Sequence, residues 1–397
     1  MRATSVADVK LLHTSDWHLG RTLHGVDMHE HQRAFVDHLV DVVVEQQITA
    51  VLISGDVYDR AIPAVETVQV FDDALARLSA VTTVIVTPGN HDSAVRLGFG
   101  AALMRDSVRI LSSVRELHRP VVLTDDATTV AVYGLPYLDP DSARPLLADS
   151  DDLATWPARS HEGVVAAAMQ RVRDDLGARQ PMRSVVLAHA FVVGAEPSDS
   201  ERDLSVGGVQ SVPSTVFDGV DYVALGHLHG PQVVPVPGSA TLARYSGSPL
   251  AYSFSERHHA KSVVLVEVPA AGPVVTTLVP TPVPRPLTEL AGTLDELLSP
   301  VHDAVADHWL KIVVTDAQYP ADLQGRLRAR FAHVLHVVHQ PAASGPAATT
   351  PVVTEQMAPP QVAADFVAHV SGTDATDDEL AEIERAYETV LAGEREG

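Results

Sequence analysis

Residues 51–59, Val-Leu-Ile-Ser-Gly-Asp-Val-Tyr-Asp, decide the fold. Val51 to Ile53 are three apolar residues in a row, the pattern of a strand buried on both faces. Gly55 allows the chain to turn sharply at the end of that strand and puts Asp56 on the lip of the sheet. Ligands of open α/β sheets bind just outside the carboxyl ends of the strands. A single Asp at such a place is as readily a cap for the next turn. Its neighbours decide between the two.

The same arrangement stands on both sides of it. A first strand at Val9–Leu12 runs into Thr14-Ser-Asp-Trp-His-Leu-Gly20, where Asp16 and His18, two residues apart in an extended loop, can both reach one cation. Residues 28–46 carry Phe35, Leu39, Val42 and Val43 at helical spacing, with His24, His29 and His31 crowding the entry loop. A second helix is expected from Pro63, at its first position, to Leu78. The strand Thr83–Val86 then ends in Pro88-Gly-Asn-His-Asp92. This β-α-β-α-β alternation predicts a parallel sheet in the first hundred residues, with D-x-H, G-D and G-N-H-D at one edge.

Further on, Ser184–Ala188 is a strand ending in His189, and Tyr222–Leu225 runs into Gly-His-Leu-His, placing His227 and His229. One histidine at a strand end is more often a loop residue than a ligand. Here five strand ends converge, with carboxylates, an amide and imidazoles among them.

Composition narrows the chemistry. With no cysteine in 397 residues, disulfides, thiolate nucleophiles and thiolate zinc sites are excluded, and any metal rests on oxygen and imidazole donors. No apolar run reaches the ~18 residues of a membrane span and no signal-peptide pattern is seen, so a cytoplasmic protein is expected. The formal charge of −23 argues against a polyanionic partner. Part of it is segregated, because residues 361–397 hold ten acidic residues against two arginines. A nucleic-acid surface must then be local, or be supplied by bound cations or a partner.

Residues 232–283 alternate strand and turn and are expected to complete a second sheet. A proline-rich strap near 279–287 leads into a small α/β unit, with strands at Trp309–Val314 and Val334–Val338 and a helix at Ala321–Phe331. His333, His336 and His339 repeat every three residues, which suits neither a strand face nor a helix face, so they are not taken as a metal site. Residues 341–360 read as a Pro/Ala/Thr linker. Two amphipathic helices follow, the first with Phe366, the second opened by the capping box Thr376/Glu379 and striped by Leu380, Ile383, Tyr387 and Leu391.

The series D-x-H, G-D, G-N-H-D, H, G-H-x-H resembles the calcineurin-like metallophosphoesterase superfamily. HTSDWHLGRTL at 13–23, GDVYDRAIP at 55–63, VTPGNHD at 86–92, DYVALGHLHGPQ at 221–232 and YSGSPLAYSFSE at 245–256 resemble its SbcD-like nucleases. The resemblance implies an α/β fold, a two-sheet metallophosphoesterase sandwich flanked by helices, with a small α/β capping domain and a C-terminal helical tail. It implies boundaries at 1–278 for the nuclease domain, 279–340 for the DNA-capping domain, 341–360 for the linker and 361–397 for a helix pair. Carried over by motif, one divalent ion takes Asp16, His18, Asp56 and His229, and a second takes Asp56, Asn90, His189 and His227, both most simply Mn²⁺. His91 is then the catalytic imidazole over the phosphate, and Asp92 its orienter. The implied activity is 3′→5′ exonuclease action on duplex DNA and endonuclease action on single strands and hairpins, in repair and recombination with the SMC-like ATPase SbcC. The implied assembly is a homodimer within a heterotetramer.

Arg21, Arg60 and Arg96 stand beside the motifs and are the first candidate DNA contacts. Phe366, Leu380, Ile383, Tyr387 and Leu391 are the candidate ATPase contacts, and Val65, Val68, Leu97, Phe99 and Leu103 the candidate dimer face. Two other readings compete: a stand-alone phosphodiesterase acting on a small nucleotide, and a DNA-end adaptor without catalysis. The small unit and helical tail disfavour the first, and the full ligand set the second.

Overall fold

A computed structural model describes residues 8–125, 128–198, 211–341, 358–371 and 375–395. The apolar run of residues 51–53 is the strand β2 (Ala50–Ser54), and every residue of it is buried. It lies between β1 (Val9–Thr14) and β3 (Thr83–Thr87), parallel to both, and β4 (Val108–Ile110) extends the same parallel set. Burial on both faces has two destinations, as the alternation of a strand requires. Val51 and Ile53 pack with Phe35, Leu39, Phe71 and Leu78 of the helices α1 (His29–Gln46) and α2 (Val65–Ser79). Leu52 points the other way, onto Val132, Val185 and Leu187 of a second sheet.

That second sheet is built from β5 (Val121–Asp125), β6 (Thr128–Leu135), β7 (Arg183–His189), β8 (Tyr222–Gly226), β9 (Gln232–Val234) and β10 (Leu242–Tyr245), in the order β9-β10-β8-β7-β6-β5. Its outer face is covered by α3 (Pro140–Leu147) and α4 (His161–Ala178), through Ala143, Leu147, Val164, Met169 and Val172. Two sheets packed face to face with helices outside both give the four-layer sandwich.

The segment after β10 departs from expectation. β11 (Ser262–Val268) and β12 (Val275–Pro280) do not complete the second sheet. They return to the first, where β11 pairs antiparallel with β1, Val9 opposite Val268. Without β11, β1 would present an unpaired edge although five of its six residues are buried, and each buried backbone group needs a partner. Two smaller differences have local causes. Pro63 precedes the helix rather than opening it, because Ala64 is extended and Val65 is the first helical residue. The Pro- and Asp-rich stretch 139–160 contains α3, capped by Asp139 and started by Pro140.

The small α/β unit is a three-stranded parallel sheet, β13 (Leu287–Gly292), β14 (Trp309–Val314) and β15 (Val334–His339), with α5 (Leu323–Arg330) against it. Its core is Leu290, Leu310, Ile312, Leu327 and Phe331. Trp309 joins it to the sandwich by packing on Leu23, Met28, Leu250 and Tyr252. Near the end of the chain lie α6 (Pro359–Ser371) and α7 (Asp377–Arg395), which pack on one another. Most of the expected linker, and the side chain of Leu391, lie outside the described residues. Among the described residues no helix is long and apolar enough to cross a membrane.

Candidate metal centre

The loops after β1 and β2 are laced together by backbone bonds. The amides of Asp16, His18 and Leu19 donate to the carbonyls of Gly55, Asp56 and Val57 at 3.0, 3.0 and 2.9 Å. The chain must bend hard to do this. Asp16, His18, Asp56 and His227 all adopt positive φ, at 54°, 43°, 49° and 110°. For residues with a side chain that conformation costs about 1–2 kcal/mol each, and surrounding structure must offset it. Close approach explains the glycines. A Cβ on Gly55 (φ 86°) would meet His189 Nδ1 at 2.2 Å, and one on Gly226 would meet the Ser54 carbonyl oxygen at 1.8 Å.

Seven side chains are brought together at this edge, in two clusters. In the first, His18 Nε2 and His229 Nε2 are 3.0 Å apart, with the Asp16 carboxylate in the same group. In the second, Asn90 Oδ1 lies 2.9 Å from His189 Nε2 and 3.1 Å from His227 Nδ1. Asp56 stands between them, its Oδ2 3.7 Å from His18 Nε2 and 3.4 Å from His189 Nε2. Asp16, His18, Asp56, His189 and His229 are all buried, whereas Asn90 and His227 are half-buried.

This donor set fits divalent cations. The His189 Nδ1–H donates to the Ser54 carbonyl at 2.9 Å, which turns Nε2 toward Asn90 Oδ1 and Asp56 Oδ2. Although burial works against it, Asp56 and Asp16 lift this ring to about 9, so the site draws positive charge at that point. His229 Nδ1 faces the Glu256 carboxylate at 3.3 Å, and its Nε2 faces another imidazole. Acceptors turned toward one another in a buried site call for positive charge between them. Burial pushes His18 and His227 down to about 3, keeping both imidazoles neutral, and lifts Asp16 to about 6. Burial would raise Asp56 as well, but His189, His18 and His91 together hold it well below the usual carboxylate range.

His91 is outside both clusters, at their rim. Its amide donates to Asp56 Oδ1 at 2.9 Å, and its Nδ1–H donates to the Asp59 carbonyl at 2.9 Å, leaving Nε2 toward the site. The expected orienter, Asp92, does not touch His91 in this way. Its carboxylate accepts the backbone N–H groups of Val57, Tyr58 and Gly89 at 3.1, 2.9 and 2.9 Å. A carboxyl three residues after Gly89 is better placed to close that turn than to reach the neighbouring ring. Asp92 therefore ties the loop after β3 to the loop after β2.

Arg21 is half-buried, 3.8 Å from Asp59 and stacked over Tyr252, while Arg60 and Arg96 are exposed. Sequence reasoning missed Asp59, whose carboxylate is 3.6 Å from His18 Nδ1. It also missed Gln32, which donates to the His18 carbonyl at 3.1 Å, and the Glu256–Lys261 ion pair. Asp59 and Glu256 stood inside quoted motifs, and only their acidity hinted at a role.

The sequence model of the calcineurin-like phosphoesterase family matches residues 9–231, which hold four strands of each sheet and all seven side chains. The chain belongs to the calcineurin-like phosphoesterase family. A second family model, described as the type 5 capsule protein repressor C-terminal domain, matches residues 283–371. Among curated proteins, this phosphoesterase is 35% identical over 266 residues to the SbcD subunit of the SbcCD nuclease of Bacillus subtilis (strain 168). That alignment covers 65% of this chain and 66% of the relative, just under two thirds of its length. Among solved structures, a dimetal phosphatase from Danio rerio aligns with a TM-score of 0.40 and 10% identity, over 68% of this chain and 99% of that one. GAP50, the anchor in the inner membrane complex of Plasmodium, aligns with a TM-score of 0.41 and 11% identity, over 69% and 85%.

Proposed function

We propose that this phosphoesterase is a Mn²⁺-dependent DNA nuclease of the SbcD type, cytoplasmic, acting as 3′→5′ exonuclease on duplex ends and as endonuclease on single strands and hairpins. The observation that carries the reading is the position of Asp56, one oxygen within 3.7 Å of an imidazole from each cluster. Asp16, His18, Asp56 and His229 would hold one cation, and Asp56, Asn90, His189 and His227 the other. Such a pair supplies Lewis acidity and a positive clamp for in-line displacement at a phosphodiester. Asp56 offsets the repulsion between two like charges, and neutral Asn90 limits the negative charge that a phosphodiester would meet. His91, with Nδ1–H anchored on Asp59, presents Nε2 to the leaving oxygen and, as imidazolium, gives it a proton.

The similarity to the B. subtilis SbcD protein supports DNA as substrate and an SbcC-type ATPase as partner. Within 1–278 as nuclease domain, Arg21, Arg60 and Arg96 contact phosphates, and 279–340 caps the DNA. Residues 341–360 link to the helix pair of 361–397, whose Phe366 is 66% exposed and Leu380 37% exposed. These two, with Ile383, Tyr387 and Leu391, meet the ATPase. A homodimer within a heterotetramer is supported by the exposed Val65, Val68, Phe99 and Leu103. Leu97, expected on that face, is buried in the core instead.

The test is cleavage by the purified chain with Mn²⁺ of a 3′-labelled duplex and, in parallel, of a cyclic dinucleotide. The reading expects DNA cleavage that a chelator abolishes. Hydrolysis of the dinucleotide alone would overturn it.

A further inference from the structure

His229 is held from behind by residues that no motif assigns. Glu256 is 1% exposed, and its Oε1 faces His229 Nδ1 while accepting the Tyr252 amide at 3.1 Å. Its Oε2 lies 3.2 Å from Ser248 Oγ and forms an ion pair with Lys261. Lys261, 6% exposed, also donates to Ser248 Oγ at 2.8 Å and to the His229 backbone carbonyl at 3.0 Å. One ammonium thus grips both the backbone of His229 and the carboxylate behind its ring.

We propose that Glu256, locked by Lys261, is a positioning residue for His229. A neutral imidazole has one donor and one acceptor nitrogen, and a carboxylate against Nδ1 fixes the hydrogen there. Nε2 is then a standing acceptor aimed into the first cluster, 3.0 Å from His18 Nε2. Among the described residues, His189 of the second cluster is backed instead by a neutral group, the Ser54 carbonyl, to which its Nδ1–H donates. The carboxylate makes His229 the stronger donor, so Glu256 favours cation binding in the first cluster selectively. This inference rests on the two-cation reading above.

The test uses the full chain and Mn²⁺ titration calorimetry, with Glu256→Gln and with Glu256→Gln combined with Lys261→Met, which leaves no unpaired buried charge. One Mn²⁺ site is expected to weaken about 10- to 100-fold and the other to stay within about twofold. Long-range ¹H–¹⁵N spectra of the unsubstituted chain should show His229 as the Nδ1–H tautomer. The Nε2–H tautomer there overturns the proposal without any variant. Unchanged Mn²⁺ binding in a folded double variant also overturns it, as does equal weakening of both sites with a lowered melting temperature, which marks a purely structural pair. An unsubstituted chain that binds no Mn²⁺ overturns the two-cation reading, and this inference falls with it.

Discussion

The cluster of Asp16, His18 and His229 and the cluster of Asn90, His189 and His227 share Asp56 and differ in nearly everything else. In the first, both imidazoles are backed by carboxylates, Asp59 behind His18 and Glu256 behind His229, and all three side chains are buried. In the second, His189 is backed by a backbone carbonyl, and Asn90 and His227 are half-buried. Negative charge is gathered on one side of a shared oxygen, and neutral donors with access to solvent on the other. On the two-cation reading proposed above, the first cluster would hold its ion more firmly and the second would leave room beside its ion for a phosphate.

Variants can separate the two clusters. The largest effect is expected from His91→Ala, which belongs to neither: cleavage should fall about 10²- to 10⁴-fold, the usual contribution of a proton donor. Metal analysis should find both cations still bound, and loss of either would make His91 a ligand. Gly226→Ala strikes the second cluster, because the new Cβ meets the Ser54 carbonyl at 1.8 Å and His189 Nδ1 at 2.9 Å. Displacing a ligand by about 1 Å can cost about 10²-fold in rate, and kinetics with Mn²⁺ titration should show the second site failing first. Asp59→Asn strikes the first cluster more gently, and calorimetry should show about tenfold weaker binding there.

The smallest effect is a control behind both clusters. His13, between the sheets, is 2.9 Å from Tyr222 Oη and is pushed down to about 3 by burial. The unfolded chain takes up a proton there below about 6.5 and the folded chain does not until about 3, so stability falls as pH drops through that window. This one group contributes at most about 1.4 kcal/mol per pH unit. In His13→Gln, urea melts between pH 6.5 and 4.5 should show a shallower slope, with cleavage at neutral pH unchanged. An identical slope would show that His13 is not the buried neutral group described.

The residues gathered at the sheet edge were legible because each sits in a short motif directly after a run of apolar strand residues, where spacing alone places it there. Sheet membership was not. The alternation in Ser262–Val268 announces a strand, but nothing local says that β1 needs it as a neighbour. The left-handed backbone of Asp16, His18 and Asp56 was hidden as well, since it comes from hydrogen bonds between loops about forty residues apart. Glu256 was hidden for the same reason: its partner His229 lies 27 positions away, and an acidic residue in a polar turn is ordinary. By contrast α3 could have been read, from Asp139 as cap and Pro140 at the first helical position.

Counting bound Mn²⁺ in the unsubstituted chain and in Asp56→Ala, by elemental analysis after equilibrium dialysis, tests the shared carboxylate most directly. The account predicts two ions per unsubstituted chain, and in the variant loss of both sites at the same free Mn²⁺, because each cluster depends on the oxygen between them. Two ions retained in Asp56→Ala, or the loss of only one, would contradict it.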